Sequence, residues 1–394
     1  MTEYKTKDDI FQSLKKVEKW VEDHDYKGYE PFDGLSSFFR PLTFGNLLLD
    51  RILLQLVRQS PINLRPILGV KPLDSTIGRG YMAWGYCIMF KLNGAQRYKD
   101  KAVSCLEWLI HNKSPGYKEY SWGKHFDFAS RGGIYYEFEP ILVWTVLIGQ
   151  AFLAAYEAFE EERYLEIADS ICKWILELPR NQTESGFCLG YLKDDTDSTV
   201  HNSNMLGAAF LSRMATYNGK KEYLKVAKGA MKYSCSRQLS SGAWYYGEDP
   251  MYQWIDNFHT GYNLDGLKCY IEYSDDNEYE DVLRRGLQFY MEVFFEKNGR
   301  PKYYNTRTYP VDSQCASQAI DTLANFAEYD EAALQLALKT AKWLIDNMQD
   351  KDGYFYYRQY PLIKAKAPML HWAQATTYKA LTLLMLKLNQ NGGF

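Results

Sequence analysis

The stretch A-K-W-L-I-D-N-M-Q-D-K-D-G-Y-F-Y-Y, residues 341–357, joins a one-sided apolar helical pattern to a glycine that is followed by aromatic residues. The same pattern stands near the other end of the chain, in K-K-V-E-K-W-V-E-D-H-D-Y-K-G-Y at 15–29. A helix with one apolar stripe packs that stripe on a neighbour and leaves its opposite face to solvent. Two such copies at opposite ends indicate that the first and last parts of the fold are equivalent members of one repeat.

The glycine-aromatic loop recurs along the chain, at Gly28, Gly116, Gly186, Gly242, Gly299 and Gly353. A polar turn between two helical segments recurs as well, as in N-G-A-Q-R-Y-K-D-K-A at 93–102 and N-G-K-K-E-Y-L-K-V-A at 218–227. Each unit is therefore predicted to contain a helix, a polar turn, a second helix and an aromatic loop.

The two helices of a unit differ in their apolar pattern. Inner helices, apolar or small on most sides, are predicted at 77–92, 140–157, 202–217, 258–273, 312–327 and 370–387. Outer helices, with a single apolar stripe, are predicted at 8–22, 97–112, 162–177, 221–237, 278–295 and 331–348.

These helices predict an all-α fold, an (α/α)6 toroid of six hairpins that closes between the N-terminal and C-terminal helices. The chain is expected to form a single domain over residues 1–394, with one extra helix near 44–59. An open helical solenoid is the structural alternative. Similar patterns at the two ends favour closure, because a solenoid usually has dissimilar caps.

Composition and charge exclude several classes of protein. The chain has 46 Lys+Arg and 49 Asp+Glu, and no basic cluster, so nucleic acid is not a predicted partner. The N-terminus has no apolar leader and no window approaches the roughly 18 apolar residues of a membrane span, which predicts a cytoplasmic protein. The seven cysteines stand singly in helical segments and are predicted to be reduced core thiols. No cofactor or metal ion is predicted. A homodimer is possible, and the sequence does not decide the oligomeric state.

The repeat and its aromatic loops resemble the six-hairpin toroids of carbohydrate-active proteins. That group includes the N-acylglucosamine 2-epimerase-like isomerases, unsaturated glucuronyl hydrolases, glucuronyl C5-epimerases and the toroid domains of polysaccharide lyases. The resemblance covers nearly the whole chain and is architectural. It implies that the aromatic loops and the first turns of the inner helices converge on one funnel, which binds a sugar or a uronate-containing oligosaccharide.

Candidates for proton-transfer chemistry lie at the start of two inner helices, in W-I-D-N-F-H-T-G-Y-N-L-D and M-L-H-W-A-Q. They are His259, Tyr262, Asp256 and His371, and Asn263 on the same helix face is a predicted substrate-binding residue. A histidine can accept and return a proton near neutral pH, and a helix N-terminus stabilises developing negative charge. His259 and His371 are therefore predicted to act as an acid and base pair on a sugar, which the resemblance to the 2-epimerase-like isomerases also implies.

Carboxylates give a competing prediction. Asp256, Asp312 and Glu137 precede inner helices, and glycoside hydrolysis requires two carboxylates across a cleft. The resemblance to unsaturated glucuronyl hydrolases points to the same chemistry. Each acid can instead serve the fold, with Asp312 as a helix cap. A non-catalytic glycan-binding toroid, or an isoprenoid-type toroid with an apolar ligand, is the third hypothesis.

Substrate binding is predicted for aromatic, histidine and arginine side chains of the same loops. Flat aromatic faces can stack on sugars, and arginine can bind a carboxylate in bidentate fashion. The predicted set is Trp244, Tyr246, Trp254, Tyr304, Trp372, His125, His201, Arg131 and Arg307. About half of the aromatic residues are expected to pack between hairpins instead.

Overall fold

The computed structural model describes residues 3–391, with side chains from 7 to 390. Thirteen α-helices are present in this range: α1 (Glu3–Asp23), α2 (Leu47–Gln59), α3 (Thr76–Asn93), α4 (Gln96–His111), α5 (Leu142–Phe159), α6 (Glu162–Glu177), α7 (His201–Asn218), α8 (Lys221–Cys235), α9 (Asn257–Ser274), α10 (Glu280–Val293), α11 (Ser313–Asn325), α12 (Glu331–Met348) and α13 (Thr376–Asn391). A π-helical turn, Leu370–Ala375, leads into α13.

Strands are short and lie in the loops between helices. They are β1 (Lys27–Gly28), β2 (Leu73–Asp74), β3 (Phe128–Ala129), β4 (Ile134–Tyr135), β5 (Arg180–Thr183), β6 (Gly186–Leu189), β7 (Val311–Asp312), β8 (Arg358–Gln359) and β9 (Lys364–Ala365). All pairings are antiparallel: β1 with β2, β3 with β4, β5 with β6, and β7 with β8 and β9. The β1–β2 and β7–β8 pairs join loops that are distant in sequence, whereas β3–β4, β5–β6 and β8–β9 are hairpins within one loop.

The inner helices form a closed ring. Packing runs from α3 to α5, α7, α9, α11 and α13, and α13 packs back on α3. On the outside, α1 packs against both α12 and α13, so the first helix completes the last hairpin. This confirms the predicted (α/α)6 toroid and its closure, and α2 is the predicted extra helix. An open solenoid is excluded because its end helices would not meet.

Burial separates the two layers as the apolar patterns predict. Every residue of α5 from Leu142 to Ala155 is buried, whereas the outer helix α8 buries one side. Leu142–Phe159 is also long and apolar enough to cross a membrane, but 78% of it is buried inside the protein, as expected of a core helix. Six of the seven cysteines are buried in this core, and Cys269 is half-buried.

Four of the six loop glycines, Gly186, Gly242, Gly299 and Gly353, are in close contact with the backbone of the next outer helix. Gly353 has φ of +103°, and a Cβ there would lie 2.6 Å from the carbonyl oxygen of Lys16 in α1. Gly242 has φ of +90°, and its Cβ would lie 2.4 Å from the carbonyl oxygen of Arg285 in α10. A side chain would be both strained and blocked at these positions. The contact therefore occurs in four of the six hairpins, including the place where the ring closes, and is not made by Gly28 or Gly116.

Candidate functional site

A cleft of about 1150 Å³ opens at the end of the ring where the loops and the first turns of the inner helices meet. Its wall contains nine of the predicted site residues: His259, His371, Tyr262, Asp256, Tyr246, Trp254, Tyr304, Trp372 and Arg131. Concave sites with aromatic walls and a few convergent polar groups are typical of small-molecule binding. The structure therefore brings most of the predicted residues together in one place.

Asp256 orients His259 at the wall of the cleft. Its Oδ1 accepts the backbone N–H of His259 at 3.0 Å and so caps α9, while its Oδ2 lies 2.7 Å from His259 Nδ1. The indole N–H of Trp254 donates to the same Oδ2 at 2.8 Å. The carboxylate is 1% exposed and the imidazole 20% exposed. Asp256 thus fixes the ring through Nδ1 and leaves Nε2 to the cleft.

An aromatic wall stands beside His259. The rings of Tyr246 and Trp254 stack with centroids 4.5 Å apart and planes 11° from parallel, and Tyr246 also contacts the imidazole at 4.5 Å. Phe258 packs against the other side of His259 and against Trp372. Flat faces of this kind suit the C–H surface of a sugar ring.

His371 lies deeper, at the floor of the cleft. Its Nδ1 is 3.5 Å from Oε2 of Glu30, and both side chains are almost completely buried. Within residues 3–391, His371 Nε2 and Glu30 Oε1 are buried without a hydrogen-bond partner. Tyr81 stacks on the imidazole at 5.8 Å. Since buried polar atoms are normally paired, these two atoms are available for a ligand or for water.

Tyr262 connects the two histidine regions. Its hydroxyl lies 3.1 Å from that of Tyr81, the residue stacked on His371, and accepts from the Gln314 amide at 3.0 Å. Tyr262 is on α9, three residues after His259. Burial raises its pKa, so the phenol stays protonated and acts as a hydrogen-bond donor or acceptor.

Lys124 lies between Glu30 and a set of aromatic rings. Its Nζ is 3.9 Å from the ring centre of Phe128, 4.0 Å from that of Trp144 and 4.5 Å from that of Phe32. No hydrogen bond or ion pair of this group occurs within the described residues, and burial holds its pKa well below the ordinary value. The aromatic faces stabilise the cation in part. An acidic ligand beside Lys124 would favour the protonated amine, which burial alone disfavours.

Arg58 adds a second cationic group. It projects from α2 into the cleft, with its guanidinium 4.5 Å from the ring centre of Phe32 and 5.5 Å from that of Trp372. One nitrogen lies 3.4 Å from the Tyr303 hydroxyl, and Nε is buried without a partner among the described residues. A planar guanidinium held between rings with a free N–H is suited to a carboxylate.

Acidic residues also line the mouth of the cleft. Asp194, Asp195, Asp197 and Asp249 lie there, on two neighbouring loops. Asp195 accepts the backbone N–H of Tyr191 at 2.9 Å, yet burial, with smaller contributions from Asp197 and Asp249, raises its pKa. The cleft therefore has a cationic and aromatic side, and an acidic side.

Three predicted residues lie in the core instead of on the cleft wall. Trp244 is 1% exposed and donates its indole N–H to the Ser234 carbonyl. Asn263 is 2% exposed on α9, because an inner helix has neighbours on nearly all sides. His201, at the first turn of α7, has no exposed side-chain surface and both of its nitrogens are hydrogen-bonded.

Four others also lie outside the cleft lining. Asp312 caps α11 and binds Arg358 through Oδ2 at 2.8 Å, with 0% of its side chain exposed, so it serves the fold. Glu137 is exposed on the loop after β4. His125 packs behind the floor with Nδ1 3.0 Å from the Asp74 carbonyl oxygen, and Arg307 lies over Tyr304 on the outer surface.

Comparison with known proteins identifies the fold. No protein-family model and no curated protein sequence matches the chain. Among solved structures, an unsaturated glucuronyl hydrolase specific for heparin matches with a TM-score of 0.64 and 10% identity over 98% of both chains. The cellobiose 2-epimerase of Spirochaeta thermophila matches with a TM-score of 0.63 and 11% identity, over 81% of this chain and 87% of that one.

A GH76 alpha-mannanase of Bacteroides thetaiotaomicron is a third neighbour, with a TM-score of 0.60 and 13% identity, over 80% of this chain and 87% of that one. The three similar proteins carry out different reactions, and each is similar to this chain in fold alone. What they share is the ring of six helical hairpins. The chain thus has the fold of the (α/α)6 toroid proteins, as its repeat predicts.

Proposed function

We propose that the protein is a carbohydrate-active enzyme that transfers protons at a carbon next to the carbonyl or carboxyl group of a sugar, as an epimerase, isomerase or lyase. The observation that carries the proposal is the Asp256–His259 pair on the wall of an aromatic cleft, with Nδ1 held at 2.7 Å from the carboxylate. A carboxylate that holds one imidazole nitrogen leaves the other as a base of fixed direction. The fold neighbours, whose names include a cellobiose 2-epimerase and a glucuronyl hydrolase, support the substrate class.

The two histidines have different roles in this proposal. When Nδ1–H donates to Asp256, the Nε2 lone pair of His259 accepts the proton from the sugar carbon. His371, whose Nδ1 faces Glu30 at 3.5 Å, returns a proton from Nε2. Tyr262 and Tyr81 lie beside His371 and can hydrogen-bond the oxygen on which negative charge develops.

A uronate or another acidic sugar fits the cationic side of the cleft. Arg58 has an unpartnered buried N–H, and Lys124 has no hydrogen bond or ion pair within the described residues. Burying a cation without a counter-charge is costly, so a bound carboxylate would relieve that cost for both groups. This arrangement favours an acidic substrate over a neutral one.

Deuterium exchange tests the reaction. The protein is incubated in heavy water with a panel of reducing disaccharides and uronate oligosaccharides, and products are followed by mass spectrometry and NMR. We expect one deuterium to enter at the carbon next to the carbonyl or carboxyl group, without glycosidic hydrolysis. His259→Ala is the matched control, and it should abolish the exchange.

Glycoside hydrolysis is the second candidate, and the acidic side of the cleft favours it. The raised pKa of Asp195 suits a general acid, and Asp194, Asp197 and Asp249 line the same mouth. In another neighbouring structure, a mannanase was inactivated by replacing two consecutive aspartates, and Asp194 and Asp195 are consecutive here. Cleavage of the oligosaccharide without deuterium exchange, lost in Asp195→Asn, would replace the proton-transfer proposal with this one.

A further inference from the structure

Exposed apolar side chains are concentrated in one segment. Seventeen large hydrophobic residues are exposed within the described part of the chain, and eleven of them fall between residues 38 and 67: Phe38, Phe39, Leu42, Phe44, Leu47, Leu48, Leu49, Ile52, Leu56, Ile62 and Ile67. The exposed fraction is 87% for Phe44 and 62% for Leu56. Exposed apolar residues concentrated in this way mark an interaction site. We call these eleven residues the apolar rim.

The apolar rim continues onto neighbouring loops. Leu362, 99% exposed, lies at the tip of the β8–β9 hairpin, whose residue Tyr360 donates to the Gln59 carbonyl at the end of α2. On the other side, Arg40 forms an ion pair at 2.6 Å with Asp127, next to the β3–β4 hairpin that is followed by exposed Tyr136. The surface thus runs beside the cleft from one hairpin to the other.

Helix α2 has three distinct faces. Asp50, Leu54 and Val57 are buried against the ring. Arg51, Gln55, Arg58 and Gln59 line the cleft. Leu48, Leu49, Ile52 and Leu56 are exposed. An amphipathic helix covers its apolar stripe, so the third face of α2 lacks the contact that its composition requires. Because the second and third faces are adjacent, whatever covers the apolar rim lies next to the cleft.

Charge shows which kind of surface fits the rim. Residues 38–71 contain five basic residues and one acid, whereas the whole chain has a net charge of −3. That acid, Asp50, is 1% exposed and accepts from Thr43. Arg40 and Arg65 are paired with Asp127 and Asp33, which leaves Arg51, Arg58 and Lys71 without an ion pair among the described residues. Exposed apolar residues with flanking cations are typical of segments that lie in a lipid headgroup layer.

We propose that the apolar rim binds a membrane surface that contains anionic lipid, with the α2 side of the cleft next to that surface. Phe44 and Leu362 are the most exposed apolar tips and enter the boundary between headgroups and acyl chains, while Arg51 and Lys71 face the headgroups. A second copy of the chain is the alternative occupant, and the vesicle experiment distinguishes the two. The inference does not depend on the reaction in the cleft.

Vesicle co-sedimentation tests the proposal without any substrate. The full chain is mixed with vesicles of phosphatidylcholine alone and with vesicles of equal parts phosphatidylcholine and phosphatidylglycerol. We expect sedimentation with the anionic vesicles, weakened by salt because surface charges are screened. In the triple variant Phe44→Ser, Leu48→Ser, Leu56→Ser the partition coefficient should fall by about tenfold or more, since three exposed apolar groups are lost.

Tyr329→Ser is the matched control. Tyr329 is 51% exposed, but it lies between α11 and α12, at the opposite end of the hairpins. Its replacement should leave vesicle binding unchanged, and all variants are compared by circular dichroism and melting temperature to show that they fold. Equal binding by the triple variant, or no binding of the wild type to anionic vesicles, would overturn the proposal. A wild-type dimer that the triple variant dissociates, without vesicle binding, would assign the rim to self-association.

Discussion

His259 and His201 occupy equivalent places in the ring but differ in their surroundings. Each lies in the first turn of an inner helix, α9 or α7, and each has an acidic partner, Asp256 or Glu248. His259 is held through Nδ1 alone and is 20% exposed, on the cleft wall. His201 is fully buried, with Nε2 2.8 Å from Glu248 and Nδ1 3.2 Å from Ser234.

The difference shows that position in the repeat does not determine a histidine's role. A ring with both nitrogens occupied cannot accept a proton from a ligand without breaking a bond of the fold. A ring held by one nitrogen keeps the other for chemistry. In the proposed enzyme, His259 therefore acts on substrate, whereas His201 anchors the loop that contains Glu248 to α7 and α8.

Alanine substitution should separate the two histidines most strongly. We expect His259→Ala to lower kcat by about 10³-fold or more, because it removes the base, with little change in melting temperature. His201→Ala should keep kcat within about twofold but cost roughly 2–4 kcal/mol of unfolding free energy, since a fully buried ring is removed and Ser234 loses one of its two partners. Turnover assays and denaturant unfolding of both variants measure the contrast.

The opposite pattern would contradict the assignment. Loss of turnover in His201→Ala with an unchanged melting temperature would place that residue in the reaction. Full turnover in His259→Ala would show that His259 is not the base of the reaction.

Asp256→Asn should have a smaller effect through the orientation of His259. Asparagine still caps the helix, but its amide N–H would donate to Nδ1 and so leave the proton on Nε2. We expect kcat to fall about a hundredfold with a nearly constant KM, as for a positioning residue. Asp330→Asn, the same change at the exposed cap of α12, is the matched control and should have no effect on kcat. An unchanged pH–rate profile in Asp256→Asn would show that this carboxylate does not position the base.

Glu248→Gln should have the smallest effect, a modest loss of stability near neutral pH that disappears in acid. The hydrogen bond to His201 lowers the pKa of Glu248 in the folded protein. Its stabilisation is therefore present above the ordinary glutamate pKa of about 4.3 and is lost as the pH falls through the lowered value. The difference in unfolding free energy between wild type and variant should shrink between about pH 5 and pH 3. A difference that stays constant across this range would show that the bond does not affect ionisation.

Most of the fold is predictable because it is encoded locally and repeatedly. The loop glycine and the apolar stripe of each hairpin stand in the sequence, and the copy at 15–29 predicts the ring closure that Gly353 and Lys16 make. The burial of each of the three faces of α2 is harder to predict. The sequence shows an apolar helix there, but only the packed structure distinguishes the face that is covered from the face that is exposed.

The site is predictable only in part. Asp256 and His259 are three residues apart on one helix, so their contact follows from helical spacing. Glu30, Lys124 and Arg58 were missed, because each comes from a different loop or helix and no local pattern marks them. Trp244 and Trp254 illustrate the same limit. Both follow the loop glycine Gly242, yet Trp244 packs into the core and Trp254 faces the cleft.

The closure of the ring has a consequence for how the chain folds. Lys7 donates to the Leu388 carbonyl across 381 residues, so the seam joins the most distant parts of the described chain. Loop-closure entropy adds only about 0.6 kcal/mol per doubling of length, so the seam costs little at equilibrium. During synthesis, the time that passes before α12 and α13 are available to α1 matters more. The apolar stripe of α1, with Ile10, Leu14, Val17 and Val21, is made first but finds its partners α12 and α13 last. On the ribosome, this stripe is the longest-lived unprotected apolar surface and the place where a chaperone would bind.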